Sequence, residues 1–558
     1  MPVNTELFTY LERRRSALEK ERVSFESHWK SLSEYIQPRR GRFFVSDRNK
    51  GEKRHNNIIN SAGTQALRAA TAGMFAGIMS PSRPWFNLGL KDTVLMEDRE
   101  VGHWLDQVEK IIYGVFAESN LYNQAPVMLS ELLLFSTGCM IHVDDPDSIA
   151  RFYTQTVGSY YLGQNNRREI DTFMRKYDST VGAIVQEFGI DAVPENIKTL
   201  YDRGEYDKWF EIIHLIEPRR ERSRDNPFSS NAPFRSVYYT YGSNNSIAVN
   251  DKRILRESGF DSFPVYAPRW GTTGEDIYGT DCPGMVVLGD VRQLQTQERR
   301  KQQAIDKLVN PPLKGPPSLR NTEVSGLPGA LTVYENQGGT ADSGLSPVYI
   351  VNPQLQEMTL DIEKTERRIQ EGFFNDLFLA ITNANEAAGK QYKNEMEILQ
   401  RNEERLLQLG PVLEQLHNEF LDKLISRTFA QLIRNELIPE APPVLQGQPL
   451  EIHYISSLAQ AQRAVATGAI ERLATFAGGL AQFSPEAFDK FDSDQAIDEY
   501  NRAILGPPRI VRSDEEVEAS RQQRQQMMAA QQALEMGAQG ASMVKDGAAA
   551  ISEVTQSA

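Results

Sequence analysis

Residues 286–310 read VVLGDVRQLQTQERRKQQAIDKLVN, and residues 352–378 read NPQLQEMTLDIEKTERRIQEGFFNDLF. In the first stretch Val287, Val291 and Leu294 are spaced four and three apart, and Ile305 and Leu308 resume the same seven-residue phase. In the second, Leu355, Met358, Ile362, Ile369 and Phe373 keep a matching phase. Each would be a helix of about 25 residues, roughly 36 Å long at 1.5 Å per residue. Between them lie Pro311-Pro312, Pro316-Pro317, Pro328-Gly329 and Gly338-Gly339, so the two helices form a hairpin with an elaborate tip. Nothing from Gln295 to Gln303 is apolar. A helix with a bare polar middle cannot be held there by its own core, so it is solvated or packed against other polar helices.

Charge separates the two helices. From Val286 to Lys314, Arg292, Arg299, Arg300, Lys301, Lys307 and Lys314 stand against Asp290, Glu298 and Asp306, a balance of +3. From Asn352 to Leu379, Glu357, Asp361, Glu363, Glu366, Glu371 and Asp376 stand against Lys364, Arg367 and Arg368, a balance of -3. Opposite charge suits helices that lie side by side, although an ordinary helical hairpin with solvated faces reads the same way from charge alone.

The chain has 558 residues, enough for several domains or one large elaborated fold. With 40% apolar and 24% charged residues it has an ordinary globular composition. A formal net charge of -14 argues against a protein that coats nucleic acid, so any contact with DNA is local or repulsive. Cys139 and Cys282 are too few for a disulfide framework, which fits a reducing compartment. The N-terminus, MPVNTELFTYLERRR, has no apolar core of a secretory signal. Ser61 to Met79 is interrupted by Gln65 and Arg68 and is rich in small residues, so it reads as a tightly packed buried helix and not as a membrane span.

Thr5 to Ile36 carries Leu7, Leu11, Leu18, Phe25, Trp29 and Leu32 at broadly helical spacing, and Pro38 stops it. The basic stretch Arg39 to Arg54, net +5, would meet phosphate or form a solvated loop. The turn Ser82-Arg83-Pro84-Trp85-Phe86 presents two aromatics to a core, and helix returns at Asp98 to Glu118. From Cys139 the period shortens: Cys139–Val143, Ile149–Tyr153, Ile170–Met174, Ile212–Ile216, Val237–Tyr241 and Val265–Trp270 read as strands of a mixed lobe. The fold class expected is therefore α+β, mostly helical. Asn394 to Leu437 reads as helix bent at Gly410-Pro411, residues 455–505 as Ala-rich helix, and Asp514 to Ala558 as a Gln/Ala-rich marginal helix or disordered tail.

Motifs for catalysis are missing. Gly389-Lys390 lacks the earlier glycine and the following Ser or Thr of a phosphate-binding loop, and no Gly-x-Ser-x-Gly, His-Glu-x-x-His or Cys-x-x-Cys occurs. Asp144-Asp145-Pro146-Asp147 would collect a hard cation, but it lacks a bidentate Glu at loop spacing and reads better as a turn. Glu275-Asp276 near aromatics suits acid/base work only if something traps the carboxylates. No enzyme, cofactor or metal site is expected, and the sequence points to an assembly component.

Four features then carry a resemblance: Ser82-Arg83-Pro84-Trp85-Phe86 after a small-residue helix; Arg269-Trp270 followed by Glu275 and Tyr278-Gly279; the polar helix ending in Pro311-Pro312; and Ser456-Ser457-Leu458-Ala459-Gln460-Ala461-Gln462 after a proline break. In this order, from about residue 10 to 520, the chain resembles the portal, or head-to-tail connector, proteins of short-tailed double-stranded DNA bacteriophages. Many relatives carry Glu-Met-Thr-Ala where this chain has Glu395-Met396-Glu397-Ile398.

The resemblance implies a dodecameric ring at one capsid vertex of the virion, assembled in the host cytoplasm, through which double-stranded DNA is packaged and ejected. It implies N-terminal helices and an α+β wing at 1–285, a first stem helix at 286–310, a clip at 311–351 and a second stem helix at 352–379. A channel loop would follow at 380–394, a long wing/crown helix at 395–440, a helical crown at 441–513 and a barrel or disordered segment at 514–558. Channel candidates are Lys390, Lys393, Arg367, Arg368, Glu363 and Glu371; the alternative pairs these cations with carboxylates of neighbouring subunits. Stem-interface candidates are Arg292, Arg299, Arg300, Lys301, Asp361 and Glu366, and clip docking candidates are Leu327, Leu331, Val333 and Tyr334. Expected partners are further copies of the chain, DNA, the terminase large subunit, tail adaptor or nozzle proteins, and the major capsid and scaffold proteins, with no membrane. The rival expectation is a structural ring or scaffold component that threads no DNA.

Overall fold

The computed structural model describes residues 5–43, 57–91, 99–222, 231–241, 253–315, 346–348, 354–378, 409–445, 450–455, 473–479 and 491–504, with short pieces at 517, 520–524 and 526–527. The chain divides into two units, Met1–Ala459 and Gln460–Ala558. Helix and sheet are both present, as an α+β chain requires.

Helix α1 (Thr5–Tyr35) lays Leu11 and Leu18 on one face of a five-stranded antiparallel sheet. The sheet runs β4 (Tyr160–Gln164), β5 (Ile170–Thr180), β6 (Trp209–Pro218), β7 (Phe234–Thr240) and β8 (Ile254–Phe260) in spatial order. Tyr161, Met174, Ile213, Leu215, Val237 and Tyr239 receive α1, because strand residues two apart share a face. Ile212 and Tyr238 point the other way, onto two short helices, α5 (Val181–Phe188) and α6 (Glu195–Asp202). Thr180 caps α5 by accepting the Ala183 N–H.

A second sheet pairs β3 (Ile149–Thr154) with β2 (Met140–Asp145), and β2 with β9 (Val265–Tyr266). The strand expected at Val265–Trp270 is cut to two residues plus an isolated Thr137–Arg269 bridge, since Pro268 has no N–H to give a ladder. The aromatics of the Trp85-Phe86 turn are buried as anchors, and Phe86 also opens a strand. β1 (Phe86–Leu90) pairs with β12 (Leu450–Tyr454), Phe86 opposite Tyr454. A local reading misses this ladder because its two halves are far apart in the chain.

Helices α3 (Arg99–Glu118) and α4 (Leu121–Phe135) complete the core of the first unit, α4 burying Met128, Leu129, Leu132, Leu133 and Phe135. Helix α2 (Ala62–Ile78) buries Gly63, Ala66, Ala70 and Gly77 and brings other backbones close. A Cβ on Gly73 would collide with the Phe378 side chain, so no larger residue fits there without moving a neighbour.

The long hairpin consists of α7 (Pro283–Val309) and α8 (Leu355–Gly372). Pro283 at the first helical position starts α7 three residues before Val286. The second helix does not run unbroken to Phe378. It ends at Gly372, turns at Phe373 and Phe374, and regains helix at 375–378. Phe374 takes a left-handed φ of +59°, and the turn lets Phe373 and Leu377 both reach the core. At the hairpin's far end β10 (Leu313–Lys314) pairs with β11 (Ser346–Pro347).

After residue 409 the chain is helical through 416, forms a π turn at His417–Leu421 and continues as α9 (Asp422–Arg434). A departure from α geometry lies at the π turn, while the segment preceding Gly410-Pro411, on which the expected bend depends, lies outside the described residues. Glu419 in the π turn accepts from the Arg269 backbone N–H at 2.8 Å and Nε at 3.0 Å, while Arg269 Nη2 also donates to the Arg168 carbonyl at 3.0 Å. Tyr278 is fully buried between Phe25 and Trp29 and accepts the Leu162 N–H, and Gly279 lies against Ser136. The Arg269-Trp270 and Tyr278-Gly279 motifs therefore hold the core together. The second unit contains a helix at 473–479 and α10 (Ser493–Ile504), where Asp494 pairs with Arg521.

Two consequences are measurable. Removing Glu419 leaves the Arg269 guanidinium buried without its counter-charge, so Glu419→Ala costs about 3–5 kcal/mol. The Arg269→Met/Glu419→Met pair recovers part of that loss in the same denaturation experiment; a Glu419→Ala chain as stable as the parent contradicts the assignment. Glu131, fully buried in α4, accepts from Thr156 Oγ1 at 2.8 Å and the Val157 N–H at 3.2 Å, and burial pushes its carboxyl up to about 7 against the opposing pull of Arg40. Because its folded pKa lies above the unfolded value, the folded state holds the extra proton between about pH 4.5 and 7, and stability falls as pH rises through that window. The span is on the order of 3 kcal/mol, and Glu131→Gln flattens it in melts from pH 5 to 8.

Candidate interaction surface on the helical hairpin

Among the described residues the hairpin is packed at its root. Val287, Leu288, Val291 and Leu294 of α7 are buried, as are Ile362, Thr365 and Ile369 of α8. Gly63 of α2 lies against Val291, and Gly372 against Val287, so small residues set the distance between helices. Beyond Glu298 most residues of α7 are exposed.

Polar contacts lock this root. Gln295 is buried, its Oε1 accepting the N–H groups of Ile59 at 2.7 Å and Asn60 at 2.9 Å while its Nε2 donates to the Asn60 carbonyl at 2.8 Å. Asn60 Oδ1 accepts the Ala62 N–H at the start of α2, and Nδ2 donates to Glu298 at 3.1 Å and Glu366 at 2.7 Å. One side chain thus ties α2 to both arms. Arg368 pairs with Asp290 at 2.9 Å, and Gln297 donates to Asp361. Arg292 lies 5.0 Å from the Tyr35 ring centre, a cation–π contact between α7 and α1. Burial, helped by Arg292, pushes the His28 imidazole below its usual value.

The candidate residues fall into three groups. Arg292, Arg368, Asp361 and Glu366 are engaged within the chain. Arg299, Arg300, Arg367, Glu363 and Glu371 are exposed, Lys301 is half-buried, and none of these six side chains has an ion pair or hydrogen bond among the described residues. Lys390, Lys393, Leu327, Leu331, Val333 and Tyr334 lie outside the described residues, as do the 380–394 loop and most of 311–351. The cross-helix ion pair runs against the overall balance, an α8 cation meeting an α7 carboxylate, so the surplus positive charge of α7 and negative charge of α8 stay on the surface.

The other chemical candidates are accounted for. Asp144 is taken by Gln431, by Arg434 at 3.4 Å and by Arg427 at 3.6 Å, while Asp145 bonds Ser148 to close the turn. Glu275 is almost wholly exposed, 4.0 Å from Arg168. Among the described residues no three His, Cys, Asp or Glu side chains gather as a metal site, and no helix is long and apolar enough to cross a membrane. Asn60 and Gln295 were not legible as functional residues. Asn60-Ser61 before a helix carried a capping signal, whereas Gln295 looked like one more residue of a polar run.

Comparison with known proteins adds the family. Residues 9–511 match the family model described as "Bacteriophage head to tail connecting protein". The "Portal protein" of Salmonella phage epsilon15 is 41% identical over 532 residues, 95% of this chain and 94% of that protein. The "Probable portal protein" of Bordetella phage BPP-1 is 41% identical over 517 residues, 92% of this chain and 91% of that protein. With the match running through the buried Arg269-Trp270 motif, the root of the hairpin and both its arms, the chain belongs to the bacteriophage head-to-tail connecting protein family.

Proposed function

We propose that the chain is a portal subunit: twelve copies form a ring at one capsid vertex, and double-stranded DNA passes through it on packaging and on ejection. The observation that carries this reading is a long hairpin, rooted by Asn60 and Gln295, whose outer half is rich in charged side chains and exposed among the described residues. The names of the relatives support it, since both are portal proteins. Under this reading α7 and α8 are the stem, 311–351 is the clip where the terminase motor and later the tail adaptors dock, and 380–394 is the channel loop. Neighbouring stems would satisfy the polar middle that no core of the same chain covers.

Electrostatics suit a passage. Twelve copies at -14 give 12 × -14 = -168 formal charges, and an acidic wall repels phosphate, so a duplex slides without sticking. A sparse ring of cations, Lys390 and Lys393 with exposed Arg367, would steady the duplex. Arg368, already paired with Asp290, contributes less.

Native mass spectrometry of the purified chain tests the ring. The expected mass is twelve times the 63.0 kDa of one chain, and negative-stain images should show an axial hole wide enough to pass a duplex. A closed ring without such a hole favours the purely structural reading. Neutralising the loop cations, Lys390→Gln with Lys393→Gln, leaves the ring mass unchanged and alters DNA filling of particles; unchanged filling removes the loop from the channel.

A further inference from the structure

His142 sits where the second sheet meets α9. It lies on β2, wholly buried, with the Phe152 ring of β3 4.5 Å away centre to centre. Its Nδ1 is 2.6 Å from the hydroxyl of buried Tyr266 on β9. A neutral imidazole has one donor nitrogen and one acceptor. The Tyr266 hydroxyl makes no other hydrogen bond among the described residues, so it donates to Nδ1, and the ring proton sits on Nε2.

From α9, Arg427 and Gln431 face the same place, four residues apart and so on one side of the helix, both buried. Gln431 gives its Nε2 to Asp144, while its Oε1, like His142 Nε2, has no partner among the described residues. Arg427 Nη1 donates to the Ser262 carbonyl at 3.0 Å and its hydroxyl at 2.6 Å, and Nη2 lies 3.6 Å from Asp144. The carboxylates at the rim are already shared. Asp144, two residues along β2 from His142, also meets Arg434 at 3.4 Å, and Asp261 pairs with Arg434 at 2.9 Å. A second proton on the ring would set Nδ1–H against the Tyr266 hydroxyl proton and place a charge in a dry core beside a guanidinium. Burial first, and Arg427 second, push the imidazole well below its ordinary value of 6.5, against the smaller pull of Gln431.

We propose that His142 is a proton-operated clamp: uncharged, it lets α9 dock on the second sheet, and charged, it releases the helix in mild acid. The clamp works within one chain and does not rest on the ring reading. Its release reaches further than α9 itself, since Asp422 accepts the Tyr454 hydroxyl at the end of β12 and the π turn just before it carries Glu419, the partner of Arg269.

Hydrogen exchange read by mass spectrometry on the full chain, at pH 7 and pH 5.5 and corrected for intrinsic rates, tests the clamp. The released ring takes a proton that the docked ring refuses, so docking is at full strength above 6.5 and weakens about tenfold per unit of pH below it, until the docked ring is itself charged. The opening constant of 422–434 and 140–145 is therefore expected to rise about eightfold at pH 5.5. His142→Asn keeps an acceptor for Tyr266 and carries no charge, so its α9 protection is the same at both pH values. Gln431→Glu puts a carboxylate beside the ring and loses most of the rise. Unchanged α9 protection in the parent, or the parent's rise in the folded His142→Asn chain, overturns the proposal. A rise confined to the five-stranded sheet overturns it too and assigns the acid response to His214, which is buried on β6 with Nδ1 unpartnered among the described residues. If His142→Asn does not fold, Gln431→Glu decides alone, and an undiminished rise in that chain overturns the clamp.

Discussion

Everything distinctive about this molecule depends on the root of the α7–α8 hairpin. A lever that stands clear of its body needs a rigid fulcrum, and the body provides one in two ways. Small residues on α2 let the backbones close to packing distance, with Gly63 on Val291 and Gly73 on Phe378. Asn60 and Gln295 then fix the angle, because their hydrogen bonds join α2, α7 and α8 through groups with little freedom to rearrange once buried. Loss of either contact would let the hairpin swing, and a swinging hairpin cannot present the same face to a neighbour.

The body behind the root is organised for stiffness as well. The Arg269–Glu419 contact bridges the stretch after β9 to the π turn, in which Glu419 faces the guanidinium. At the start of that turn His417 stacks on Tyr454 with ring centres 3.9 Å apart, and Tyr454 donates to Asp422. The C-terminal end of β12 is thereby tied to the same helix that holds Arg269.

Periodic features were legible in the sequence and long-range ones were not. The α7 stripe, the polar middle and the opposite charges of the two arms follow from residue spacing, which survives any packing detail. The small-residue character of Ser61 to Met79 gave a buried helix correctly, since only close backbone approach rewards so many small side chains. The β1–β12 ladder, the Phe374 turn and the π turn could not be read, because each is set by partners distant in sequence: Tyr454 for Phe86, Val287 for Gly372, Arg269 for Glu419. The surface candidates divide by the same logic. Local charge found Arg299, Arg300 and Glu363, which remain exposed, but it could not tell them from Arg368, Asp361 and Glu366, which tertiary contacts consume.

Cryo-electron microscopy of the purified assembly measures the central claim directly, namely where the hairpin stands relative to the symmetry axis. The account requires α7 and α8 to surround an axial passage wide enough for a duplex. A ring in which the hairpins splay outward from the axis, or one whose axis is closed by the folded body, would contradict it.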